Sequence, residues 1–222
     1  MTPRNSSRLC TLLLLLTFCL GFAIVLYAKW FIWNGKLSGL ELITGNPAWN
    51  FGKREWIHFS GLFGCILFGW TFLHSFSYKK MVKIHIGMAL LAGLCILAID
   101  QGPEWLFEWI GSDGLTYTQL LVSYIVSVPV LYAMRWSTPR FFEPKAALNL
   151  SVLYMLSLSV LWEVIMQPCF STYDEPAKGY IQYAQILSDW SGILLGYAVS
   201  RLCIWGVNTI SAKAEAVVTS PD

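Results

Sequence analysis

The sequence predicts an all-α fold: a polytopic transmembrane helical bundle of six helices, N-in and C-in, forming one domain over residues 1–222. Three observations carry that expectation. Only 13% of the 222 residues are charged and 56% are hydrophobic, where soluble domains carry about a quarter charged residues. The apolar residues gather in six stretches, each near the ~20 residues that a helix rising ~1.5 Å per residue needs to cross a ~30 Å hydrocarbon core. The basic residues favour alternate connections between those stretches. A chain with 11 Trp, 13 Phe and 10 Tyr cannot stay solvated as a free coil, which excludes low-complexity disorder. Its 15 Lys and Arg, dispersed for a net charge of +2, make no concentrated basic face, which argues against a nucleic-acid partner.

The first stretch, 9–27, follows Arg4 and Arg8 and continues through Leu26 and Tyr27 into Lys29 and Trp30. A cleaved signal has a shorter apolar core of about 7–15 residues and a small-residue cleavage site, so a retained anchor is expected. The further spans are 56–78, 82–101, 115–134, 146–166 and 186–207. Pro129 in the fourth removes one backbone hydrogen bond and predicts a kink. The longest connection, 28–55, is too short for a separate soluble domain.

Orientation follows from the basic residues, which are retained on the cytoplasmic side of short loops. With the N-terminus inside, Arg4, Arg8, Lys79, Lys80, Lys83, Arg135, Arg140, Lys145, Arg201 and Lys213 are inner. Lys29, Lys36, Lys53, Arg54 and Lys178 are outer. The acids divide the opposite way, and Trp30, Trp33, Trp49, Trp56, Trp105, Trp109, Trp162 and Trp190 gather at the outer interface, where indole rings settle. The stretch 102–111, with three aromatic residues beside two acids, suits a short element lying in that interface.

The six cysteines show neither a CxxC pair nor metal-ligand spacing, and only Cys169 is expected in an outer loop. No disulfide framework, no metal and no cofactor is expected. The sequons at Asn5 and Asn149 fall in a cytoplasmic tail and inside a span, so they imply no glycosylation. Gly-rich phosphate loops, GxSxG elbows and HExxH pairs do not occur.

Ionisable residues within spans each cost ~2.5–3.5 kcal/mol on insertion scales and call for a reason. His58, Asp100 with Gln101, Glu163 with Gln167, and Asp189 come from the second, third, fifth and sixth spans, all near the outer ends. Glu163 and Gln167, four apart, share a helix face. Gln185, Asp189, Gly192 and Gly196 step by four, three and four, which draws one inward stripe whose glycines allow close helix approach. These residues predict an outward-opening site with Glu163, Asp189 and His58 as acid–base or cation-binding groups and Gln167, Gln185 and Asp100 as substrate-binding ones. The bland reading of the same groups is interhelical packing near the water interface.

The stretch Gln185-Ile186-Leu187-Ser188-Asp189-Trp190-Ser191-Gly192-Ile193-Leu194-Leu195-Gly196 resembles the closing motif of VanZ-like membrane proteins. Trp162-Glu163-Val164-Ile165-Met166-Gln167-Pro168 is similar to that family's acid-then-glutamine helix end. Lys53-Arg54-Glu55-Trp56-Ile57-His58-Phe59 resembles its charged lead into a His-Phe helix. Gln185 stands where the family usually has Asp, Asp189 where it usually has Asn, and Lys178 is the residue available in place of an intervening Arg. The resemblance covers mainly the second, fifth and sixth helices. It implies a multi-pass protein of the bacterial inner membrane linked to glycopeptide tolerance or surface modification, with membrane lipids and a lipid-linked or cell-wall substrate as partners.

Two other classes compete. His74 and His85 in adjacent spans are available as axial ligands of one b-type haem, although the last three spans hold no histidine. A non-catalytic membrane subunit or assembly factor would use the same outer aromatic and polar residues to dock a partner.

Overall fold

The structure is a computed structural model that describes residues 3–28, 41–100, 114–171 and 176–219. Within them the chain is helical, with six helices in order: α1 Pro3–Tyr27, α2 Lys53–Ser75, α3 Lys79–Asp100, α4 Gly114–Ser137, α5 Pro144–Cys169 and α6 Tyr183–Thr219. Leu9–Tyr27, Lys53–Ser75, Pro144–Cys169 and Tyr183–Ile210 are long and apolar enough to cross a membrane. The expected spans 82–101 and 115–134 fall in α3 and α4, where Gln101 lies outside the described residues. The described apolar part of α4 is the shorter Leu121–Ser137. Trp30, Trp33 and the stretch 102–111 also lie outside the described residues.

Helix ends depart from expectation for local reasons. α2 begins earlier than the apolar run because Glu55 Oε2 accepts from the Gly52 backbone N–H at 2.7 Å, a reciprocal cap of its first turn. It ends at Ser75 rather than 78, in a turn closed by Phe76 N–H to Leu73 O at 3.1 Å and Tyr78 N–H to Ser75 O at 3.0 Å. α5 widens into a π turn over Leu161–Met166, where the Gln167 N–H bonds the Trp162 carbonyl, five residues back. Pro168, next in line, has no N–H to continue an α ladder. α6 runs to Thr219 instead of stopping near 207, since Ala212, Lys213, Ala214, Glu215 and Ala216 are strong helix formers.

The chain forms two compact units, residues 1–72 with 144–222, and residues 73–143. In the first, α2 lies against three neighbours and contributes Ile66, Leu67 and Trp70, all fully buried. Glycines set these approaches. A Cβ on Gly21 of α1 would stand 2.6 Å from Phe68 N, one on Gly64 would stand 2.7 Å from Gly21 O, and one on Gly192 of α6 would stand 2.2 Å from Phe59 O. Gly69 faces Ser151 of α5. Before α2, the segment 41–52 folds on itself through an antiparallel bridge between Leu42 and Phe51 and a 3-10 turn, Pro47–Trp49. The Trp49 ring stacks on Tyr183 at the start of α6, 5.2 Å between centroids.

In the second unit α3 packs on α4, which carries Pro129 inside the helix. His85 stacks flat on Phe76 at 5.0 Å, and Phe76 in turn meets Phe142.

Candidate acid–base site in the first unit

Three helices bring charged groups together inside the first unit. Arg54 and His58, four apart, share a face of α2. Ser159, Glu163 and Gln167, stepping by four, do so on α5, and Gln185 and Asp189 on α6. His58 Nδ1 lies 2.8 Å from Asp189 Oδ1 and 3.7 Å from Glu163 Oε1. Asp189 Oδ2 accepts from the Ser159 hydroxyl at 2.6 Å. Glu163 Oε1 accepts from the Gln167 amide at 2.8 Å. The Gln185 amide, oriented by its partners, donates to Glu163 Oε2 at 2.6 Å and accepts from Arg54 Nε at 2.6 Å. Glu163, Gln167, Gln185 and Asp189 are all at most 2% exposed, whereas the His58 side chain keeps 22% of its surface.

Two cations reach this cluster through an amide. Arg54 Nη2 and Lys178 Nζ both donate to Gln167 Oε1, at 3.1 and 2.5 Å, and Lys178 also bonds Gln182. The connection after α5 is held in place for this contact: Lys178 N–H bonds the Gln167 carbonyl at 3.0 Å, and Gly179, at φ +71°, bonds the Pro168 carbonyl. A positive φ is inexpensive only for glycine. Arg54 and Gln182 also line an open depression of about 280 Å³ with Asn50, Lys53, Glu55 and Tyr180.

The arrangement has the parts of an acid–base unit. A carboxylate opposite Nδ1 makes that nitrogen the donor and leaves Nε2 with the lone pair. The hydroxyl on the far side of Asp189 stops the carboxylate from rotating. Among the described residues nothing hydrogen-bonds His58 Nε2. Gln167 is the hinge between the carboxylates and the cations. Gln167→Leu removes a buried donor and a twice-used acceptor at nearly constant volume, and is expected to lower stability by about 1–3 kcal/mol. Thermal unfolding of the detergent-solubilised protein measures it, and an unchanged midpoint would contradict that role.

Of the sequence-predicted residues, His58, Glu163, Gln167, Gln185 and Asp189 converge. Asp100 ends α3 in the other unit, and its side chain lies outside the described residues. Arg54, Ser159, Lys178 and Gln182 were not among the expected site residues. The four-residue steps from Arg54 to His58 and from Ser159 to Glu163 were the available signal. His74 and His85 belong elsewhere. His74 Nδ1 donates to Phe142 O at 2.7 Å and its Nε2 is 3.4 Å from the Tyr78 hydroxyl. His85 uses both nitrogens, on Ser75 at 2.8 Å and Tyr124 at 3.0 Å. Binding a haem iron would require breaking one of these bonds in each imidazole.

Comparison with protein-family models, curated proteins and solved structures finds no match for this chain.

Proposed function

We propose that this chain is a multi-pass, VanZ-like protein of a bacterial inner membrane, N-in and C-in, that binds or modifies an envelope lipid or lipid-linked cell-wall component at the His58–Asp189–Glu163 cluster. The observation that carries the reading is the buried Asp189 carboxylate 2.8 Å from His58 Nδ1 with Glu163 beside it. Membrane residence is supported by an inverted polarity. Leu153, Leu187, Leu194, Leu202 and Trp205 are each more than 60% exposed on helices long enough to span, while the carboxylates and amides of the same helices face inward. In water such an apolar exterior would be an aggregation surface, but in hydrocarbon it is the favourable arrangement. The division of Lys and Arg between alternate connections supports the orientation.

In this reading His58 Nε2 takes or gives a proton at a substrate hydroxyl, phosphate ester or attacking water. Asp189 holds the imidazole in the required tautomer and stabilises the imidazolium when it forms. Glu163 supplies a second carboxylate at the same place, and Arg54 and Lys178 set a positive edge toward an anionic headgroup.

The test is complementation of a deletion strain with Glu163→Gln and Asp189→Asn, which keep shape and remove charge. Glycopeptide tolerance and envelope-lipid composition are expected to revert to those of the deletion strain, because positioned acid–base groups contribute about 10²–10⁴-fold. Full function in both variants, at equal protein level in the membrane, would overturn the reading.

A further inference from the structure

The same three side chains carry a more specific assignment, which rests on the proposed acid–base reading and deepens it. His58 Nδ1, a Glu163 oxygen and an Asp189 oxygen all lie within 4.8 Å of one another, from three different helices. In a tetrahedral site with bonds of about 2.0–2.2 Å, ligand atoms stand about 3.3–3.6 Å apart. The 2.8 and 3.7 Å separations from His58 Nδ1 bracket that spacing, so a cation between the three needs side-chain adjustments smaller than a rotamer change.

The groups around the three point the same way. Ligating carboxylates are oriented by hydrogen bonds from outside the metal shell. Here the outer donors are neutral: the Ser159 hydroxyl on Asp189 Oδ2, the Gln167 amide on Glu163 Oε1 and the Gln185 amide on Glu163 Oε2. Among the described residues no Lys or Arg stands within ion-pair distance of either carboxylate, and Arg54 and Lys178 contact the amides instead. The two carboxylates therefore present their negative charge to His58 and to one another. One imidazole nitrogen with two carboxylate oxygens is a donor set suited to zinc and its first-row neighbours rather than to a thiolate-selected or all-oxygen cation. Three protein ligands also leave a coordination position open, as in catalytic zinc sites.

We propose that His58, Glu163 and Asp189 bind one divalent transition-metal cation of the zinc class, which would hold a phosphate or hydroxyl oxygen of the envelope substrate at its open position. The sequence signalled no such site, because its ligands stand far apart along the chain, with 131 residues between His58 and Asp189.

The experiment uses the full chain, purified in detergent, stripped with chelator and dialysed against Zn²⁺, with Co²⁺ as a coloured substitute. The expected result is one equivalent of Zn²⁺ per chain and Co²⁺ ligand-field bands of four- or five-coordinate intensity. His58→Ala and Glu163→Gln should each weaken binding at least tenfold, while Cys169→Ser leaves it unchanged. The unaltered chain alone suffices to overturn the proposal: absence of stoichiometric Zn²⁺ and of Co²⁺ bands does so without any variant. Bands that persist in His58→Ala, in protein of unchanged helicity, would also overturn it. Combining this with complementation separates the two ideas. If no metal binds but Asp189→Asn still abolishes envelope function, the cation proposal falls and the acid–base reading stands. If metal binds through His58 while Glu163→Gln and Asp189→Asn retain full function, the acid–base reading falls and the cation site stands.

Discussion

Gly192→Ala is expected to destabilise the protein by about 3 kcal/mol, at the upper end of what overpacking usually costs. The added Cβ would stand 2.2 Å from the Phe59 carbonyl oxygen and 3.0 Å from its carbon. These are backbone atoms of a packed helix, so no side-chain rotation relieves the clash and α2 and α6 must move apart. Gly206, on the same helix, has nothing within 4 Å of the equivalent position. Gly206→Ala is therefore expected to be neutral or to raise stability by up to about 1 kcal/mol through helix propensity. Unfolding midpoints of the two variants in one detergent measure the contrast, and equal midpoints would refute close approach at Gly192. Because Phe59 adjoins His58 and Gly192 lies three residues from Asp189, the displacement should also open the 2.8 Å His58–Asp189 contact and reduce envelope function.

His58→Ala is expected to reduce envelope function by about 10²–10⁴-fold, and Asp189→Asn by a comparable factor. The informative quantity is the double variant. Asp189 acts through His58, so once the imidazole is gone its carboxylate has no remaining proton-transfer task, and the combined loss should be close to that of His58→Ala alone. Groups that act as a unit show this non-additivity, whereas independent contributions multiply. Function measured for both singles and the double at matched protein level decides between them. A double variant whose loss equals the product of the single losses would refute a coupled pair.

The elements were legible to different depths. Runs such as Leu12–Leu16 in α1 and Ile193–Leu195 in α6 mark helices by apolar length alone, and the six expected spans coincide with the six helices found among the described residues. The glycine stripe on α6 was readable because 192 and 196 stand one turn apart, a regularity that side-chain packing imposes on sequence. The π turn over Leu161–Met166 was not readable: its only trace is Pro168, and a proline near a helix end is equally compatible with simple termination. The extension of α6 to Thr219 was missed because its last turns are polar and were judged by membrane-crossing length instead of helix propensity.

The site divides along the same line. Glu163 with Gln167, and Gln185 with Asp189, could be paired from spacing, since residues four apart on one helix must be neighbours. That Asp189 meets His58 rather than Asp100 could not, because helical periodicity fixes directions about one axis and says nothing of which axis stands opposite. The sequence by itself determined the helices, their apolar faces and the residues whose burial demands partners. Only the tertiary structure decided which partners those are: Ser159 for Asp189, the Gln185 amide for Glu163, and Gln167 between Arg54 and Lys178. A buried polar group must be satisfied wherever it lies, but the identity of its partner depends on backbone approaches of a few ångströms that no local pattern encodes.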